Sequence, residues 1–514
     1  MEEKPYQKWL ALAALSIGVF MGLLDVTVVN VALPTMQKSF NEPFNNLQWV
    51  LSSYTIVFAV MILIISKLGD MFGRKKIFLG SIILFIIASA ANGLAPTLLA
   101  LDISRAVQAV GGAGMMSLSM ALVASNFDGA KRGIALGIVG SVIGLSSASG
   151  PLVGGLLVEK FGWQSIFYIN VPVGIIAVVM TFLFVKETPS YGKDQRIDIL
   201  GMLLSAATLF CAIFGLIQKE DNVHMAWTNP KIGMWLLAAI ILLAIFIYVE
   251  MKIAHPMMNL RMFKQRNFIG AVIVAFALGA GVYSMNTFIT ILMQNYIGWS
   301  AFDTGIRQLA ISVWSLILGP ITGLLGQKYS RKGLVAGGLV LVGLGFVLLI
   351  NGLSLTTGYP QILPMMILMG IGNAIVNPLL NTVGLDGVPL PEMGMASGLL
   401  NVFRQFGVSF GIVILGLVQA NTYENQLAIK LTNVPMPKTI LNHLHAALID
   451  AGPFGGHAIA FNHQLGQIPG VKQLQVAVVE AYNRGLATTL MTGTIIVLLG
   501  ALGALMLLKR NERN

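Results

Sequence analysis

Charge is what this sequence lacks. Only 10% of its 514 residues are Asp, Glu, Lys or Arg, against about 25% in a soluble domain. So few charges cannot cover a water-facing surface of this size, so lipid must cover much of it. Cysteine is almost absent as well. The single thiol, Cys211, lies in an apolar run, which excludes an internal disulfide framework and leaves it as a small apolar side chain. No Gly-rich loop ending in Gly-Lys-Ser/Thr occurs, which argues against a built-in ATPase. A cleavable leader is not expected either: the apolar stretch from Trp9 to Leu33 is too long for one and no small-residue cleavage site follows it.

What is present in excess is hydrophobic sequence, 56% of the chain, in runs near the ~20 residues that cross a bilayer. Apolar runs between polar breaks predict an all-α membrane protein of about fourteen spans, near 9–34, 46–66, 77–95, 97–121, 133–157, 166–185, 198–218, 232–251, 268–293, 304–326, 333–352, 361–384, 394–419 and 485–508. The net charge of +11 sits in the short loops, so orientation explains it better than nucleic acid does. With fourteen spans both termini share a side, and roughly 21 of the 32 Lys and Arg fall there against about eight opposite. That bias predicts cytoplasmic termini in a plasma membrane.

A weak repeat divides the chain. Leu68-Gly-Asp-Met-Phe-Gly-Arg-Lys-Lys76 after span 2 is echoed by Leu325-Gly-Gln-Lys-Tyr-Ser-Arg-Lys332 after span 10. Two six-helix bundles are expected, at about 1–190 and 267–514, with two inserted spans and their linkers at about 191–266. One long outer loop is expected at about 421–484, with helical apolar spacing at Tyr423–Leu431 and Leu474–Tyr482 and the rest broken by Pro435, Pro437, Pro453 and Pro469. Its four histidines, His443, His445, His457 and His463, match no compact metal spacing and read as exposed.

Asp25 is the most informative residue. An acid midway along a span costs about 2.5–3.5 kcal/mol on insertion scales, so it must face the bundle interior, be paired or be protonated. It suits a site that exchanges a proton or meets a cationic substrate, or else a tether between helices. Arg105, in the fourth span, cannot discharge by losing its proton. It either tunes the acid and meets substrate or water, or pairs locally with Asp102 near the outer interface. Asp70, Gly73 and Arg74 in the loop after span 2 could latch the inner side, or serve only the charge bias. In span 5, Gly150, Pro151, Gly154 and Gly155 offer a smooth, bendable face for another helix, sliding or static.

These residues, with Gln48-Trp-Val and Tyr54, Arg105 with Gln108, Trp163, Ile169-Asn-Val-Pro172, Gln294 to Gly298, Gly305, Pro378 with Asn381, and Gly394 to Gly411, resemble the major facilitator superfamily. Within it they are similar to the fourteen-span drug:proton antiporters that include bacterial multidrug and quaternary-ammonium exporters. The resemblance implies the major facilitator fold and a non-enzymatic, proton-coupled exporter of amphipathic drugs, in a bacterial cell membrane. It implies proton coupling at Asp25 and Arg105, a cytoplasmic gate at Asp70, Gly73 and Arg74, and an antiporter motif at Gly150 and Pro151. The chain departs from the family pattern at Ser66, Met71 and Ala109. Spans 9–14 carry Arg404 and Gln405 but no clear mid-span acid, which favours monocationic, zwitterionic or neutral amphiphiles over dications.

A cavity between the halves would be lined by Asn30, Tyr54, Met115, Met116, Tyr283, Asn286, Gln294, Asn373, Asn377 and Asn401 beside Asp25 and Arg105. No cofactor beyond the coupling proton is expected, and no metal. The partners expected are small amphipathic substrates and membrane lipid, with the protein a monomer. Other readings are a dedicated exporter of one lipid, nucleotide or metabolite, an uptake symporter, which Gly150-Pro151 argues against, and a membrane receptor or scaffold docking through the outer loop.

Overall fold

In hydrocarbon every backbone N–H and C=O must find its partner inside the protein, and a helix does this within one segment. The computed structural model, which describes residues 5–42, 44–127, 129–190, 197–462 and 469–509, is helical accordingly. The first half holds α1 (Pro5–Phe40), α2 (Phe44–Phe72), α3 (Arg74–Gly93), α4 (Leu98–Asn126), α5 (Gly129–Phe161) and α6 (Ser165–Phe184). Then come α7 (Ile199–Asp221) and α8 (Pro230–Lys252). The rest comprises α9 (Arg266–Tyr296), α10 (Ala301–Lys328), α11 (Arg331–Gly352), α12 (Tyr359–Gly384), α13 (Met393–Leu431), α14 (Lys438–Ala460) and α15 (Val471–Leu507). Among the described residues thirteen of these are long and apolar enough to cross a membrane, and α5 makes fourteen when its two arms, bent by 45°, count as one span. Pro151 accounts for the bend, because it cannot donate to the helix ladder. His463, and Lys4, Lys193, Arg196, Arg510 and Arg513 of the basic residues counted above on the terminus side, lie outside the described residues.

Several helices outrun their expected limits. α1 has 36 residues, about 54 Å at 1.5 Å each, well beyond a ~30 Å hydrocarbon core. The outer segment has the two helical stretches expected at its ends and a further helix between them. α13 continues to Leu431, α14 fills Lys438–Ala460 and α15 starts at Val471. Pro435 and Pro437 fall in the turn before α14, and Gly452 takes φ 62°, a left-handed value that lets the helix kink ahead of Pro453. His443 is exposed, whereas His457 stacks on Phe461 at 4.0 Å and meets the tilted Tyr296 ring at 5.1 Å, and its burial pushes the imidazole below its usual pKa.

α7 and α8 pack on each other, and α7 lies along α2 and α13, with Phe214 between Trp49 and Trp235. The outer face of α8 presents Leu237, Ile240, Ile241 and Leu243 to its surroundings, as a lipid-facing helix should. The linker after α8 is tied down at four points. Lys67 Nζ donates to Pro256 O (3.0 Å), Met257 N to Asp198 Oδ2 (3.1 Å), Met258 N to Glu250 Oε2 (2.9 Å) and Asn259 Nδ2 to Glu392 Oε1 (2.8 Å).

The two halves meet most intimately where α5 runs antiparallel along α10. Glycines on both helices allow backbone to touch backbone: Gly137 and Gly133 face Gly319 and Gly323, and a Cβ on Gly319 would lie 2.8 Å from Gly137 O, while one on Gly323 would lie 2.9 Å from Ile134 N. Ser312 Oγ donates to Gly144 O at 2.9 Å across the same seam, and Ser141 Oγ to Ser315 O. Gly319→Val should therefore force α5 and α10 apart at a cost of about 1–3 kcal/mol and lower the midpoint of thermal unfolding in detergent. Gly337→Ala, at an exposed position with nothing within 4 Å, should leave that midpoint unmoved.

Candidate functional site

Asp25 sits near the middle of α1 and is 2% exposed. Four other helices converge on it. Its Oδ2 is ion-paired with Arg105 Nη1 of α4, and its Oδ1 accepts from Gln108 Nε2 of α4 (3.0 Å) and Asn170 Nδ2 of α6 (3.0 Å). Arg105 also donates to Gln108 Oε1 (2.7 Å) and to Val50 O of α2 (3.3 Å). Its guanidinium lies 4.3 Å from the centroid of the Tyr54 ring and 5.7 Å from that of Phe167. α3 closes the network: Asn92 Nδ2 donates to Gln108 Oε1 (2.5 Å), and Asn170 Nδ2 to Ser89 Oγ (3.0 Å). Arg105 therefore pairs across the bundle with Asp25 and not locally with Asp102, whose Oδ1 has no partner. Asn170 was visible in the sequence only as part of a family motif, and Asn92 and Ser89 carried no signal; each is an ordinary polar residue toward one end of a span.

The expected cavity residues divide into groups. Tyr54 belongs to the Asp25 network. Met115 and Met116 are buried against Gly18 and Gly22 and, with Phe58 and Gly112, line a small internal gap in the first half. Asn30 is exposed, and its Nδ2 turns back to Val26 O (3.3 Å). Asn286 and Gln294, both half-buried, lie further along α9. The others gather in the second half. Asn377 Nδ2 donates to Tyr283 OH (2.7 Å) and Asn373 Oδ1 (2.6 Å), and Asn401 Oδ1 accepts from Arg404.

The span 5 glycines and proline sit at the seam. Gly150 and Gly154 press on Thr27 and Val28 of α1, whereas Pro151 meets Gly305 and Gly155 meets Phe302, both of α10. α5 is thus wedged between the Asp25 helix and the other half.

At the end of the bundle carrying Arg74, Asp70 accepts from the first N–H groups of α13, Gly394 N (3.1 Å) and Met395 N (2.9 Å), where the helix dipole favours a carboxylate. Arg74 holds Asp70 through Nε (2.8 Å) and reaches across to Leu390 O (2.6 Å). Gly73 takes φ 107° and lies against the Glu187 carboxylate, which receives Lys75 N and Lys76 N at the start of α3. Glu187 was missed, because no local spacing ties it to a loop more than a hundred residues earlier. Near this latch a cavity of about 690 Å³ lies between Lys67, Glu250, the 253–264 linker and Met395. It shares Asp70 with the latch but includes none of the Asp25 network, so we assign the chemistry to the interior cluster.

Comparison with known proteins fits this architecture. Residues 15–412 match the model of the Major Facilitator Superfamily. The chain is 32% identical over 441 residues to the multidrug resistance protein Stp of Mycobacterium tuberculosis (strain ATCC 25618 / H37Rv), covering 86% of this chain and 81% of that protein. It is 29% identical over 523 residues to the multidrug transporter protein MdtP of Bacillus subtilis (strain 168), covering 98% and 94%. The solved structure of the proton:xylose symporter XylE bound to 6-bromo-6-deoxy-D-glucose superposes with a TM-score of 0.63 at 12% identity, over 99% of this chain and 97% of that one, a likeness of fold. The chain belongs to the Major Facilitator Superfamily: it is a multi-pass membrane transporter, not an enzyme, related to bacterial multidrug resistance exporters.

Proposed function

We propose that the chain exports amphipathic drug-like compounds from a bacterial cell in exchange for protons, by alternating access between bundles 1–190 and 267–514. The observation that carries this reading is the Asp25 carboxylate, held out of water by Arg105, Gln108 and Asn170. While Asp25 is ionised, its charge and that of Arg105 cancel. A proton on Asp25 removes the counter-charge and leaves Arg105 buried with a net charge, at a cost of several kcal/mol. That cost falls if the helices around the pair rearrange, so proton uptake drives a change of conformation. A cationic group competing for Asp25 exerts the same pull from the other access. The names of the relatives point to drug-like cargo, and the basic loops point to cytoplasmic termini.

The gate reading rests on Asp70 and Arg74, which join the halves at the Arg74 end, while Asn30 and Pro34 toward the other end of α1 are exposed. This conformation is then closed to the cytoplasm, and the latch breaks when that side opens.

In everted vesicles a fluorescent cationic amphiphile should be taken up on energisation and released by an uncoupler. Asp25→Asn should abolish that proton-driven uptake while the purified variant still unfolds cooperatively; full uncoupler-sensitive uptake by the variant would sink the coupling role. For the gate, Cys211 is the one cysteine, so Cys211→Ser gives a clean background. Ser66→Cys, a buried position facing Gly398, should react with a membrane-impermeant maleimide about tenfold faster once Asp70→Asn weakens the latch, a shift of ~1.4 kcal/mol. An unchanged labelling rate would remove Asp70 from the gate.

A further inference from the structure

Arg404 is a buried cation without a counter-charge among the described residues. It lies well inside α13 and is 8% exposed. Arg105, its counterpart in the first half, has a carboxylate and two further acceptors. Arg404 has Asn401 Oδ1, a neutral acceptor three residues away on its own helix, and no carboxylate among the described residues. A guanidinium has five N–H donors and does not discharge in proteins. A cation left this way at depth in a membrane is costly, and the intramembrane ionisable groups that persist tend to mark sites.

Its surroundings are built for a polar guest. Tyr283 of α9 ends the wide turn that packs on the Arg404 backbone, and its hydroxyl accepts from Asn377 of α12. Asn377 continues to Asn373, which borders Gly144 of α5 in the other half. The cluster therefore runs from Arg404 to the seam between the bundles. The other Arg404 nitrogens are not among the unpartnered polar atoms sealed inside protein, so they retain access to open space. In contrast Asn377 Oδ1 is sealed and unpartnered. The wide helical turn at Leu278–Tyr283 of α9 packs on the α13 backbone here, with Gly279 against Arg404 O, and such turns are frequent at functional sites.

We propose that Arg404, with Asn401 and Tyr283, is an anion-recognition subsite of the transport cavity, which takes an oxyanion group, a carboxylate or phenolate, on an otherwise apolar small molecule. The assignment rests on the export reading above and deepens it. The Asp25–Arg105 pair is neutral as a unit, so the interior carries the unmatched positive charge of Arg404. A substrate with one negative group supplies the missing partner and can form a bidentate contact with the guanidinium. Cargo of this kind would be anionic or zwitterionic.

The test is a matched pair, a carboxyrhodamine and its methyl ester, which differ at the proposed contact. In proteoliposomes containing the full-length protein, the wild type should show a KM for the acid at least about tenfold below that for the ester. Arg404→Gln should bring the ratio to about one, and Arg404→Lys, which keeps the charge, should restore part of it. A ratio unchanged in Arg404→Gln overturns the subsite. Should Arg404→Gln not fold, wild-type protein in detergent decides: the acid should raise its unfolding midpoint more than the ester does, and equal shifts, or none, overturn the proposal. The export reading fails separately. Uncoupler-insensitive transport with an intact acid preference would discard proton coupling and keep the subsite, whereas coupled transport with no preference would do the reverse.

Discussion

An ion pair held away from water imposes conditions on everything around it. Asp25 and Arg105 hold each other across α1 and α4, but a carboxylate and a guanidinium together offer more lone pairs and N–H groups than one contact satisfies. The surplus is taken up by Gln108, Asn170 and the Val50 carbonyl, and Asn92 and Ser89 in turn fix Gln108 and Asn170. Five helices of the first half are therefore set by one pair of charges. Among the described residues the second half has no such buried pair. Its interior is organised around neutral amides, a tyrosine and one arginine. The two halves therefore differ in the electrostatics of their interiors.

The two ends of the bundle are treated differently as well. At the Arg74 end, Asp70 uses the buried first N–H groups of α13, an interaction that tolerates little displacement, since the dipole effect fades within one turn. The linker after α8 adds contacts to Lys67 and Glu392 from the same neighbourhood. The inserted pair α7–α8 is thus tied to both halves where they meet, although most of the α8 surface is apolar and turned outward.

Much of this was legible in the sequence. Long apolar runs separated by basic loops give the spans directly, because lipid admits few other solutions. Asp25 and Arg105 announced themselves, because a charge amid apolar residues has no ordinary explanation. What stayed hidden depended on contacts distant in sequence. Asn170, Asn92 and Glu187 are unremarkable until folding brings them against Gln108, Asp25 or the first N–H groups of α3. Arg404 was read as an occupant of its span, and its significance lies in the partner it lacks, which only an assembled neighbourhood reveals. In the outer segment the helical spacing at Tyr423–Leu431 and Leu474–Tyr482 was legible, whereas the helix between them stayed hidden for a local reason. Its prolines read as breaks, but Pro437 starts a helix and Gly452 absorbs the kink that Pro453 demands.

Where α5 lies on α10, glycines have removed the side chains that would otherwise interlock. Ridges set into grooves resist tilting because rotamers must change before one helix can pass another. Bare backbone has no rotamers to change. The hydrogen bonds across this line are the two serine bonds, to Ser315 O and Gly144 O. The alternating-access movement proposed above would meet few interlocked rotamers along this seam and would have to break the Asp70 contacts at the Arg74 end.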